Sequence, residues 1–297
     1  MGAMAVRNTM IKGGAAALLA GTTLLFAAGS ALAHTPYVVP FTFSPERDYV
    51  GLEGGMAEEG FFIPDFAIRG SGDWTVVGPD GVAKPVTPTT LKSVTVVDAP
   101  LPTEGTYRIG TGQRPGRQGK VAKVDGVWRQ VRPDPAPGAA QPQRRMDEEP
   151  GAANTGPIDA SKVPAGAEIV ETQGILIAET YVTRGAPTPV KPTGAGFEVE
   201  PVTHPSEVYL DDGFTFRALV DGKPVPGLHV TIYRGGESYA AKRTAIEATT
   251  GADGKASVKF EQPGAYILET RYPGPAAPGA APAAKTYVYT LSFEVTD

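Results

Sequence analysis

An all-β chain of two antiparallel β-sandwich domains is the fold class this sequence predicts. Three observations carry that expectation. Apolar and polar residues alternate over many short segments, the period of a half-buried strand. Gly and Pro, 37 and 29 of the 297 residues, punctuate those segments at short intervals. No long helical period interrupts them.

Residues 1–33 read as a secretory signal peptide. Arg7 and Lys12 form a basic n-region and an apolar run follows from about Gly14 to Ala28. Ala31 and Ala33 then supply the small residues that signal peptidase accepts. Cleavage after Ala33 leaves His34 as the new N-terminus. No later run reaches the ~18 apolar residues of a spanning helix, so the expected product is a periplasmic protein with no membrane insertion.

The first sandwich is expected over residues 34–132. Tyr37–Phe43 is a strand whose Pro40 suits an edge. Tyr49–Glu53, the apolar Phe61–Ile68, Trp74–Val77, Leu91–Val97 and Gly105–Gly110 follow as strands. Gly78-Pro79-Asp80-Gly81 is a turn, and Asp125-Gly126 joins Lys120–Val124 to Val127–Val131 as a two-residue hairpin. Residues 133–165 are rich in Pro, Gly, Ala and charge and poor in large apolar side chains. They read as a disordered linker that cannot bury enough surface to offset its ordering entropy.

The second sandwich is expected over residues 166–297. Glu168–Tyr181 reads as one long strand or two joined at Gly174, and Phe197–Val202 alternates apolar with acidic residues. Phe214–Val220 leads into the Asp221-Gly222 turn and a strand through Leu228, Val230 and Ile232. Ala256–Phe260, Ala265–Tyr272 and Tyr287–Val295 complete the set, with Pro273–Ala284 as an extended loop. This spacing of short strands and turns is that of an immunoglobulin-like or transthyretin-like sandwich.

Composition excludes several classes. Loss of Arg7 and Lys12 with the signal takes the formal net charge from −5 to −7, which argues against nucleic acid as a partner. There is no cysteine, hence no disulfide framework, thiolate ligand, cysteine nucleophile or lipidated cysteine. Neither a Gly-x-Ser-x-Gly elbow nor a His-Glu-x-x-His motif occurs. No catalytic residue and no organic cofactor are expected.

Several runs together resemble a known group: His34-Thr-Pro-Tyr after the Ala-x-Ala site, Phe61-Phe-Ile-Pro-Asp, Gly105-Thr-Tyr-Arg-Ile-Gly-Thr-Gly, Ala178-Glu-Thr-Tyr-Val-Thr-Arg-Gly-Ala-Pro, Pro201-Val-Thr-His-Pro-Ser-Glu-Val-Tyr and Gly222-Lys-Pro-Val-Pro-Gly. They look like a bacterial periplasmic family largely catalogued as a domain of unknown function. That family is related to the periplasmic substrate-specific component of nickel and cobalt uptake systems. The resemblance implies a transport accessory whose partners are a metal ion and an envelope metal-uptake transporter. The nickel-uptake relatives often carry a transmembrane segment, which this chain lacks after its signal.

The three histidines bear on that reading. As an N-terminal residue His34 offers an α-amine and an imidazole, and a second histidine would make a transition-metal site. His204 lies at a strand end before Pro205, with Glu207 the nearest carboxylate, so His34, His204 and Glu207 are the candidate metal ligands. His229 is expected to face away from the core formed by Leu228, Val230 and Ile232. Nitrogen and carboxylate donors suit Ni(II), Co(II), Cu(II) or Zn(II). The scarcity of methionine beyond the signal (Met56 and Met146) argues against Cu(I). The expected function is a non-catalytic, exported binding protein for divalent transition metals. The alternatives are an envelope interaction module that binds no metal and a copper oxidase with an N-terminal histidine site.

Overall fold

In a computed structural model of the chain, the described residues are 34–57, 62–69, 74–136, 156–236 and 245–297. The expected signal peptide, residues 1–33, lies outside them, as do Glu58, Glu59 and Phe61. The described chain is built of strands, as expected. In the first half these are β1 (Thr35–Pro40), β2 (Tyr49–Ala57), β3 (Phe66–Ala67), β4 (Thr75–Val77), β5 (Ala83–Pro85), β6 (Thr89–Thr90), β7 (Thr95–Pro100), β8 (Gly105–Gly110), β9 (Arg114–Val124) and β10 (Val127–Arg132). In the second half they are β11 (Ile158–Asp159), β12 (Ile169–Arg184), β13 (Phe197–Pro201), β14 (Phe214–Val220), β15 (Lys223–Pro224), β16 (His229–Arg234), β17 (Ala245–Thr249), β18 (Lys255–Val258), β19 (Gly264–Tyr272) and β20 (Lys285–Val295).

The turns form where the sequence places them. Asp125 and Gly126 both take positive φ, 53° and 79°, and close the β9–β10 hairpin. Asp221 and Gly222 do the same between β14 and β15. The expected strand Glu168–Tyr181 is one strand with a register irregularity between Gln173 and Ile175, where Gly174 sits.

The division into two sandwiches with a structureless linker is corrected by the pairing of the strands. One eleven-stranded sheet draws strands from both halves, in the order β11-β10-β9-β12-β20-β19-β16-β17, with β8 also on β12 and β4 and β5 beyond it. β12 pairs antiparallel with β8 and β9 from the first half and parallel with β20 from the second. A five-stranded sheet (β1-β2-β7-β6, with β3) covers part of one face, and a four-stranded sheet (β13-β14-β15, with β18) covers the other. Two cores therefore share a central wall. Ile175, Ile177 and Tyr181 point from β12 into the core with Phe197, Phe214, Phe216 and Phe293. Ala178 and Val182, on the opposite face, join Val38, Leu52, Trp74 and Ile109. Such two-sided burial is what the consecutive apolar residues Ile175–Ala178 and Tyr181–Val182 of β12 allow, and alternation alone did not reveal it.

Of the expected linker, residues 137–155 lie outside the described residues. The segment that follows is ordered. Ile158 is buried beside Ala122, and Ile158 and Asp159 pair in parallel with Val131 and Arg132. Asp159 accepts from Arg132 Nε at 2.6 Å and from Lys162 Nζ at 2.7 Å. One apolar anchor and one paired carboxylate are enough to order a stretch whose average composition suggests disorder.

The shared wall couples the two cores. Both tryptophans, Trp74 and Trp128, belong to the first half of the chain, whereas Phe216 is fully buried in the second core. Phe216→Ala should cost about 3–5 kcal/mol and lower the denaturant midpoint read by tryptophan fluorescence. An unmoved fluorescence midpoint, with loss of ellipticity from the second half, would mean that the halves unfold separately. A second expectation concerns Glu53, half-buried on β2, whose carboxyl is pushed above its ordinary pKa by burial, against a hydrogen bond from Tyr37 that lowers it. The folded state thus resists ionisation of Glu53, and stability is lost as pH rises through the folded pKa. Glu53→Gln should raise Tm at pH 7, and the gain should vanish below about pH 4, where the carboxyl is protonated in both states.

Candidate functional site

His34 immediately precedes β1, whose first residue pairs with Ala57. Thr35 Oγ1 donates to Glu269 on β19 at 3.0 Å, and Arg271 reaches the same carboxylate at 3.2 Å, so the head of β1 is pinned to the central sheet. On the other side Asp65 N–H donates to Met56 O at 2.9 Å and β3 pairs with Gly55 and Met56. Gly55 is needed here, because a Cβ at that position would collide with Pro64. The result brings Asp65 Oδ2 to 3.5 Å from His34 Nε2, with the Phe66 ring centroid 4.6 Å from that of the imidazole. Both side chains are solvent-accessible, so this pair adds little stability and mainly orients the ring.

His204 is held differently. Its Nε2 lies 3.0 Å from the Thr188 carbonyl and 3.0 Å from Thr106 Oγ1. The backbone N–H of Ser206 donates to Nδ1 at 3.2 Å, with Ser206 Oγ at 2.8 Å. A carbonyl can only accept and an amide N–H can only donate, so the neutral Nε2–H tautomer fits. Nε2 thus ties the 203–207 turn to β8 and the strap after β12, while Nδ1 closes the turn on Ser206. Glu207 lines a separate cleft of about 620 Å³ together with Glu46, Glu104 and Arg184.

The three expected ligands are therefore not brought together. His204 sits at the level of Thr183, since Thr106 Oγ1 lies 3.0 Å from Thr183 Oγ1. Thr183 N–H in turn donates to Phe43 O, past the far end of β1 from His34. The six residues of β1 alone span about 20 Å at about 3.3 Å per residue. Among the described residues, no group of three or more His, Asp or Glu side chains is close enough to hold a metal ion. His229 is exposed on β16, as expected, and its Nε2 lies 2.8 Å from Glu247.

Sequence reading missed a buried charged cluster behind a second cleft. Arg108 on β8 lies opposite Tyr181 on β12. Its guanidinium approaches Glu179 at 3.9 Å and Glu198 at 3.7 Å, and all three charged side chains are largely buried. Glu179 accepts from the fully buried Tyr289 hydroxyl at 2.8 Å. Glu198 accepts from Thr193 N–H at 2.7 Å, Thr193 Oγ1 at 2.9 Å and Gly194 N–H at 2.8 Å. Burial alone would lower the Arg108 pKa, but the surrounding groups, Glu179 first, outweigh it and raise it. Burial, then the Glu179 charge, pushes the Tyr289 hydroxyl well above its usual range. A signal was present in the charged residues inside strand patterns, Arg108 in Gly105–Gly110 and Glu179 in β12, but alternation assigns such residues to solvent.

The fold and its polar sites define an all-β sandwich-type protein with a histidine–carboxylate pair at one sheet end and a buried arginine at another. The chain belongs to a family described as a domain of unknown function, DUF4198, whose model matches residues 31–274. No curated protein matches it. Among solved structures, the Bacillus anthracis TIE protein is similar at 11% identity over 91% of this chain and 40% of that one, with a TM-score of 0.16, too low to carry an argument. Among the described residues, no helix is long and apolar enough to cross a membrane.

The structural role of His204 is testable. His204→Phe leaves the Thr188 carbonyl and the Ser206 N–H without their partner and should cost about 1–3 kcal/mol in urea unfolding. An unchanged midpoint would show that the imidazole does not hold the turn.

Proposed function

We propose that the protein is an exported, non-catalytic binding protein of the periplasm that carries a divalent transition-metal ion, nickel or cobalt, as an accessory to an envelope uptake system. The observation that carries this reading is Asp65 Oδ2 at 3.5 Å from His34 Nε2 at the head of β1. Cleavage after Ala33 would make His34 the N-terminal residue. Its α-amine and Nδ1 can then close a six-membered chelate ring on one metal ion. Asp65 would hold the Nε2–H side, the carboxylate–imidazole arrangement that fixes ring orientation and strengthens a histidine ligand. Nitrogen donors of this type suit Ni(II), Co(II), Cu(II) and Zn(II). The resemblance to the nickel and cobalt uptake component favours the first two. The copper-oxidase reading gains nothing from the geometry, since it needs a second histidine and His204 is engaged elsewhere.

The test is calorimetric titration of protein bearing His34 as its true N-terminus with Ni(II), Co(II), Cu(II) and Zn(II). Sub-micromolar binding is expected. It should be lost by His34→Ala and by a one-residue N-terminal extension, weakened about 10–100-fold by Asp65→Asn and unaltered by His204→Phe. Affinity should fall on acidification, because the amine and imidazole must lose protons to bind. Absence of binding by the native form would overturn the reading in favour of an envelope interaction module.

A further inference from the structure

The cleft in front of Arg108 carries a second inference, independent of the metal reading. Its floor is formed by Thr106 and Arg108 of β8 and Tyr181 of β12. One wall is the turn between β4 and β5, and the other is the proline-rich strap Pro189–Thr193. Its volume is about 500 Å³, within the range of small-molecule sites.

The electrostatics of this cleft are asymmetric. Glu179 and Glu198 lie behind the floor and do not line it. Glu179 Oε2 accepts from Tyr289 and both Glu198 oxygens accept from Thr193 and Gly194, and the guanidinium stays 3.7–3.9 Å from the carboxylates, beyond hydrogen-bond distance. The two carboxylates more than offset the buried charge of Arg108 and hold its position without taking a direct hydrogen bond from it, while the Tyr181 hydroxyl accepts one of its five N–H donors. Asp80, the carboxylate on the wall, is also engaged. Its Oδ1 accepts from Val82 N–H at 3.1 Å and its Oδ2 from Lys84 at 3.2 Å. Lys191, exposed on the strap, has no ion pair or hydrogen bond among the described residues. The cleft thus presents at its floor a guanidinium that is ion-paired from behind and hydrogen-bonded to the Tyr181 hydroxyl, and at its rim an ammonium with no ion pair or hydrogen bond among the described residues.

We propose that this cleft binds a small organic dicarboxylate. One carboxylate is received by the planar fork of Arg108 with the Tyr181 hydroxyl beside it, and the other meets Lys191. Planar, bidentate recognition favours a carboxylate at the arginine. The nearby glutamates make the local charge close to neutral, so recognition rests on directed hydrogen bonds and discriminates against ligands that cannot offer two in-plane acceptors.

The experiment is a set of titrations of the full chain, followed by amide chemical shifts and calorimetry, with succinate, citrate, inorganic phosphate and neutral succinamide. Saturable binding of a dicarboxylate is expected, with shifts at Thr106, Arg108 and Lys191. Phosphate should bind at least tenfold more weakly and succinamide not at all. Lys191→Glu, at an exposed site with no structural partner, should weaken binding at least tenfold, and Tyr181→Phe several-fold. Arg108→Lys, if folded, should abolish it. Absence of dicarboxylate binding, or binding indifferent to Lys191→Glu, would overturn the proposal. So would equal affinity for phosphate, which would mark a general oxyanion site. Neither result bears on His34, whose metal titration stands apart.

Discussion

Everything in this structure depends on one strand being buried on both faces. β12 carries Ile175, Ile177 and Tyr181 into one core and Ala178 and Val182 into the other, while its edges hydrogen-bond to β8 and β9 on one side and β20 on the other. A strand so placed leaves no backbone group to solvent along its central stretch, and neither half of the chain can form its sandwich without it. β20 shares the burden: Tyr289, Leu291 and Phe293 fill one core. On the opposite face Thr290 and Ser292 donate to the carbonyls of Pro36 and Val38 on β1. Those hydroxyls satisfy the open edge of β1, where Pro36 and Pro40 contribute no N–H.

The same geometry explains why charge is buried beside β12. Glu179 follows Ile177 on the face that looks into the second core, and Arg108 lies opposite Tyr181. Burying an unpaired ion costs several kcal/mol, so a cluster here persists only if its members compensate one another. Arg108 lies against both Glu179 and Glu198 and offsets one of their two charges, and Tyr289 and the Thr193–Gly194 turn donate to Glu179 Oε2 and to both Glu198 oxygens. Glu198, in gathering that turn, fixes the strap Pro189–Thr193 and so shapes the cleft in front of Arg108. The structural demand for charge balance and the availability of a cleft with a fixed guanidinium arise from one arrangement.

The two polar features stand in different physical regimes. The His34–Asp65 pair is open to water, contributes little to stability, and depends on Gly55 letting Pro64 lie against the sheet. The metal chemistry proposed for it rests on cleavage after Ala33. The Arg108 cluster is mostly dry, so each of its interactions is stronger and its geometry is less adjustable. His204, which sequence logic grouped with His34, belongs to neither. It is a buried-side connector whose two nitrogens close hydrogen bonds between a turn, a strap and a strand.

By itself the sequence determined that the chain is all β, where the Asp-Gly turns fall and that no cysteine supports the fold. These follow from local terms: a period of two, positive-φ residues and composition. It also singled out His34, on an expected cleavage site that is read from neighbouring residues alone. Only the tertiary structure decided that the two halves share one sheet, since pairing β12 in parallel with β20 joins segments more than a hundred residues apart. It alone ordered Ile158 and Asp159 against β10, separated His204 and Glu207 from His34, and placed Arg108 between two glutamates. Each of these is settled by long-range packing and pairing, which bring together or hold apart residues that local pattern cannot relate.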